Sequence, residues 1–92
     1  MTRLVSAYPN PFNPSTTIAF ELKKSMRVNI AVFDVMGRKV ATLKDGVMAP
    51  DRHTVTWRGT NDDGRRVASG VYFCRMVAGD VRQTTKLVFL LQ

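Results

Sequence analysis

Between residues 26 and 43 the chain reads MRVNIAVFDVMGRKVATL, and this stretch constrains the fold more than any other. Met26, Val28, Ile30 and Val32 occupy alternate positions, with Arg27, Asn29, Ala31 and Phe33 between them. A period of two places each set on one face of a strand, the apolar set toward a core. Asp34-Val35-Met36-Gly37 interrupts the pattern, and Gly37 supplies the positive φ of a tight hairpin. Residues 38–43 resume it, with Val40 and Leu43 facing in and Lys39 and Thr42 facing out. This is an antiparallel hairpin solvated on one face, and nothing in it resembles a reactive centre.

Other segments repeat the alternation. Ile18, Phe20 and Leu22 share one side of a strand, opposite Thr17, Ala19 and Glu21. His53, Val55 and Trp57 alternate with Thr54, Thr56 and Arg58, so Trp57 is expected to supply the largest piece of core, near Ile30 and Val55. Residues 65–68 read as a short strand, Ser69-Gly70 as a bulge or kink, and residues 71–78 as another strand. Gly79-Asp80 is a two-residue hairpin turn into residues 81–91, with Leu87, Phe89 and Leu91 on one face. Residues 45–51 and 59–64 read as a loop and a turn, while residues 1–7 are a linker remnant or an edge strand. About seven strands at roughly ten-residue spacing, with no helical period, predict an all-β antiparallel sandwich. A small closed barrel fits the same count.

Helix is excluded at YPNPFNPS, residues 8–15, where Pro9, Pro11 and Pro14 fix φ and force their predecessors into extended geometry. Asn10 and Asn13 suit Asx-turns there, and Tyr8 and Phe12 are expected to pin the segment to the domain. Asn13-Pro14-Ser15 is no glycosylation sequon, because its central residue is proline.

The chain has 92 residues, enough for one domain with a modest core. Its longest apolar run, residues 87–91, falls far short of the roughly 20 residues of a membrane-spanning helix. Met1-Thr2-Arg3 leads into SAYPNP and not into an apolar leader, so Met1 reads as a start added to a piece of a longer chain. Lys plus Arg number 14 against seven Asp plus Glu, a net charge of +7 that points toward acidic partners. The basic residues are spread as singles and pairs, without an aromatic ladder or recognition helix, and dedicated nucleic-acid binding is not expected.

Reactive groups are few. Cys74 is the single cysteine and reads as a buried strand residue, and His53, the single histidine, lies on a different strand. Residues 59–64, GTNDDG, cluster oxygen side chains before a glycine but lack the spacing and distal Glu of a calcium loop. No metal, cofactor or convergent acid–base set is implied. A carbohydrate binder would show a row of exposed aromatics, and most of the eight here fall at inward positions.

The ordered set YPNPFNPSTTIAF, VFDVMGRKVATL, HTVTW, GRRVASGVYFCRM and TTKLVFLL resembles, from residue 8 to residue 91, the type A C-terminal sorting domain of proteins exported by the type IX secretion system. That domain is related to the immunoglobulin-like domain of the flagellar hook-capping protein. The resemblance implies an immunoglobulin-like β-sandwich over residues 8–92 that acts as a non-catalytic address. It would be read by the outer-membrane translocon and sortase-like processing proteins, with cargo attached to anionic lipopolysaccharide at the cell surface or released. Positions matching the family pattern, and so the implied recognition residues, are Pro9, Asn10, Pro11, Gly37, Arg38, Ser69, Gly70 and Lys86. Arg58 and Asn61 stand where the family usually has acids, and Gln92 where many members end in a basic residue.

A second reading of the same pattern is an accessory immunoglobulin-like module that binds carbohydrate, cell wall or a sister subunit, or caps a filament. Strands over Thr16–Leu22 and residues 82–91 are expected at sheet edges, where they would support homodimerisation by pairing or strand exchange.

Overall fold

Each alternating stretch becomes a strand, and the turn residues between them set the order. The computed structural model describes residues 1–90. Its strands are β1 (Arg3–Tyr8), β2 (Thr16–Leu22), β3 (Met26–Phe33), β4 (Lys39–Met48), β5 (Asp51–Trp57), β6 (Gly70–Ala78) and β7 (Val81–Phe89). They form two antiparallel sheets, β1-β2-β5 and β4-β3-β6-β7. In immunoglobulin lettering this is ABE packed on C′CFG, with the chain crossing between sheets after β2, β4 and β5. β1 and β7 lie side by side without pairing, so the structure is an open sandwich and not a closed barrel.

The two inner faces supply the core. Ile18, Phe20 and Leu22 come from β2, Val28, Ile30 and Val32 from β3, Cys74 and Met76 from β6, and Leu87 and Phe89 from β7. Trp57 is 1% exposed, and its ring neighbours are aromatic: Tyr72 edge-on at 5.1 Å, Phe12 at 5.4 Å and Phe89 at 6.3 Å. Tyr72 donates its hydroxyl hydrogen to the Ala68 carbonyl, the hydrogen bond of a tyrosine corner.

Several expectations need correction. β4 runs through residues 45–48, and only Ala49 and Pro50 separate it from β5. Its pairing with β3 slips twice, leaving Leu43 and Val40 as the extra residues. The spacing of three between those two apolar residues does not fit a period of two, and bulges absorb it. Ala41 fills the buried place instead, with Val40 and Leu43 half-buried. Residues 65–68 form no strand, because the loop satisfies its own backbone: Asn61 N–H donates to Arg65 O and Val67 N–H to Gly59 O. Tyr8 does not pin its segment, being 77% exposed. β2 is not an edge but the centre of its sheet, since β1 pairs on its outer side. Leu91 and Gln92 lie outside the described residues.

Candidate recognition surfaces

The implied recognition residues fall into two groups. In the first, the proline segment lies along the outer edge of β7. Asn10 Nδ2 donates to the Lys86 carbonyl at 2.8 Å, and Asn10 Oδ1 accepts from Val88 N–H at 2.9 Å. One side chain thus copies the donor–acceptor pair of a neighbouring strand. Phe12 continues it with its own backbone, donating to Val88 O and accepting from Leu90 N–H. The prolines on either side of Asn10 lack N–H groups, so they leave no donor orphaned along this edge. Thr16 Oγ1 donates to the Pro9 carbonyl at 2.8 Å, and the Phe12 ring, 2% exposed, stacks on Phe89 at 4.9 Å. The side chain of Lys86 itself is exposed.

Gly37, Arg38, Ser69 and Gly70 make the second group, at the β3–β4 turn and the start of β6. Asp34 organises the turn: its Oδ1 accepts from Met36 and Arg38 N–H, and its Oδ2 pairs with Arg38 Nε at 3.0 Å. Gly37 closes the turn at φ 81°, a backbone region open to glycine at little cost. The Arg38 N–H, opposed by partial burial and then helped by the Arg38 side chain, holds the Asp34 carboxyl below its usual range. Arg38, Ser69 and Gly70 line a shallow cavity of about 260 Å³ with Val35, Met36 and Tyr72. Val35 and Met36 are exposed at its rim, and the Tyr72 phenol is pushed up by burial and then by the Asp34 charge.

This turn has a twin that the sequence reading passed over. Asn61-Asp62-Asp63-Gly64-Arg65 repeats Asp34-Val35-Met36-Gly37-Arg38 with the same bonds. Asn61 Oδ1 accepts from Asp63 and Arg65 N–H, Gly64 N–H donates to Asn61 O, and Gly64 also has φ 81°. The signal was available as a spaced pair, an Asx residue followed by Gly-Arg. Asp62 then reaches the edge of β4, accepting from Thr42 N–H at 2.9 Å and donating its own N–H to Val40 O. Between the two turns lies an open cleft of about 420 Å³, lined by both acids and bases.

No set of three or more metal-binding side chains converges among the described residues. Cys74 is buried in β6, and burial pushes its thiol up to about 12. His53, in the other sheet, donates Nε2–H to the Ala49 carbonyl and stacks on Phe20. Neither side chain is set up as a nucleophile with a base.

The comparisons agree with this architecture. Against known structures, the chain is similar to dimeric latent PorU from Porphyromonas gingivalis, with a TM-score of 0.78 and 21% identity over 97% of this chain. It is also similar to PorZ, a surface component of the type IX secretion system of Porphyromonas gingivalis, with a TM-score of 0.64 and 23% identity over 95% of this chain. The chain spans only 9% and 11% of the length of those two proteins. A comparison with curated protein sequences gives no match. The profile of the secretion system C-terminal sorting domain matches residues 6–90, nearly the whole sequence, and the chain belongs to that family.

Proposed function

We propose that this domain is the folded address of a larger cargo protein and is read by the type IX translocon through the two surfaces described above. The observation that carries the reading is the contrast between reactive groups and surface. Cys74 and His53 are committed to packing and to a backbone bond, whereas the proline strap and the paired turns are built by specific hydrogen bonds on the outside. Family membership supplies the role of export, to the cell surface or beyond it. Recognition through Pro9, Asn10, Pro11, Lys86 and the Gly37-Arg38/Ser69-Gly70 corner fits the clustering of these residues at β7 and at one turn. Removal of the domain by sortase-like processing, with attachment of cargo to anionic lipopolysaccharide or its release, completes the proposal.

Self-association follows the edges left open. The strap covers the 86–90 end of β7, and Asp62 covers β4 at residues 40–42. Two copies therefore pair through β5 or through the 44–48 end of β4. Sedimentation of the purified domain over a hundredfold concentration range reads this directly.

The deciding experiment fuses residues 3–92 to the C-terminus of a periplasmic reporter in a host with type IX machinery. Surface display of the fusion is expected, with reporter held in the periplasm when residues 85–92 are removed. A folded full-length fusion that stays periplasmic would overturn the address and leave an accessory binding module.

A further inference from the structure

The outward faces of the two sheets differ in kind. On β2 and β5 the outward positions are Thr17, Ala19 and Glu21 beside Arg52, Thr54 and Thr56, and Glu21 is held by Arg3 at 2.8 Å. This is a polar surface with its acid already neutralised. On the four-stranded sheet, Phe33 and Phe73 stand opposite each other on β3 and β6, pointing away from the core that Val32 and Cys74 enter. The Arg75 guanidinium lies 4.4 Å over the Phe33 ring, and its Nε is shut from solvent without a hydrogen-bond partner among the described residues. Val71, Val77 and Val88 extend the apolar ground on β6 and β7 and are only partly covered.

Cations surround this centre. Lys86 is registered opposite Phe73, Arg82 opposite Val77, and Lys39 opposite Phe33. The one strand carboxylate on this face, Asp45, is held by Arg27 at 3.0 Å. Lys39, Arg75, Arg82 and Lys86 have no carboxylate partner among the described residues.

We propose that this face docks an acidic polypeptide surface and adds a third contact to the strap and the turn through which the export address is read, an inference that rests on the address function and names its reader's chemistry. A half-exposed aromatic and valine centre inside a charged rim, with an arginine at its heart, is the anatomy of a protein–protein contact. A nucleic acid or polyanionic glycan would call for cations lined along a groove, with little apolar surface to cover. Arg75, held over a ring, has a planar fork that suits the two oxygens of one carboxylate. Strands roughly 4.8 Å apart and about 27 Å long give a face on the order of 400 Å². That is about half the roughly 800 Å² per partner of a stable complex. Such a contact is brief and depends on charge steering, which suits a signal that must be released.

The test uses the reporter fusion and the purified chain together, comparing wild type, Arg82→Glu/Lys86→Glu and, on the other sheet, Arg52→Glu. Expected is export of wild type and Arg52→Glu, at least a tenfold loss for Arg82→Glu/Lys86→Glu, and equal melting temperatures. Export of the double variant at the wild-type level overturns the docking face while leaving the address intact. NMR titration of the purified chain supplies the second reading, with a twelve-residue peptide of alternating Glu and Val as probe. Saturable shifts at Phe33, Phe73, Arg75 and Lys86 that weaken with salt and vanish in the double variant are the expected result. Shifts confined to other residues, no saturable shifts at low salt, or tighter binding of a DNA duplex or anionic vesicle to the same residues would each overturn the proposal. Failure of the wild-type fusion to export removes the address, and the titration still decides whether the face takes acidic polypeptide.

Discussion

Gly59 sits beneath the ring of Phe89 so closely that a methyl group on its Cα would lie 2.7 Å from Phe89 Cζ. With φ at 69° the position is also strained for any L side chain. Gly59→Ala is therefore expected to cost about 2–4 kcal/mol, from overpacking and backbone strain together. Urea melts should show a smaller cost for the same change in a Phe89→Leu background, where the ring is gone. Equal costs in both backgrounds would place the whole effect in the backbone.

The strap gives a second expectation. Asn10→Ala removes both side-chain bonds to β7 and should cost about 1–2 kcal/mol at this exposed edge. Asn10→Asp keeps the acceptor for Val88 N–H but turns a second oxygen toward the Lys86 carbonyl, so it should not restore stability. Hydrogen exchange at Val88 is the local readout, faster in Asn10→Ala than in wild type, with Asn10→Asp between them because its acceptor for that amide remains.

Twin turns that differ at one atom provide their own control. Asp34 pairs with Arg38, while the neutral Asn61 gives Arg65 no carboxylate. Asn61→Asp should add a few tenths of a kcal/mol at low salt and nothing at 1 M salt. Because the folded protein lowers the Asp34 pKa, its contribution is present above the unfolded value near 4 and fades as pH falls through the folded one. Asp34→Asn should flatten that part of the melting-temperature profile below pH 4.

Cys74 has the opposite linkage. Its folded thiol titrates at about 12 against an ordinary 9.0, so the fold favours the protonated form. That contribution is complete below pH 9 and is lost between pH 9 and 12, where the unfolded thiol ionises first. Cys74→Ala should remove this alkaline loss of stability. Native Cys74 should also react with iodoacetamide only at the rate of unfolding, and export should not change.

Strand identity was legible wherever one face meets the core and the other meets water, as in β2, β3 and β6, because burial imposes the period of two on the sequence. It was illegible where bulges break that period, so Val40 and Leu43 misled and β4 looked too short. For residues 1–7 an edge strand was one of two readings and β1 is one, but its partner β2 was hidden, since six residues ahead of a proline run carry no mark of which neighbour they pair with. The role of Tyr72 could have been read from its place two residues before Cys74, the spacing of a tyrosine corner. For the candidate recognition surfaces, motif positions pointed to the strap and the turn but not to the hydrogen bonds that build them. Asn10 acts as a substitute strand only once residues 76 positions away in sequence are alongside it. The cationic face was out of reach for the same reason, as Phe33, Phe73 and Lys86 become neighbours through register alone.

The strap ties residues 10–12 to residues 86–90. Until residue 90 has left the ribosome, Asn10 has no strand to imitate, Phe12 no ring to stack on, and Trp57 only part of its aromatic box. A chain cut short by even one strand would keep its hairpins but could not assemble the surfaces at β7. The fold therefore doubles as a check on the domain itself: the strap finds its place only after β7 has been made.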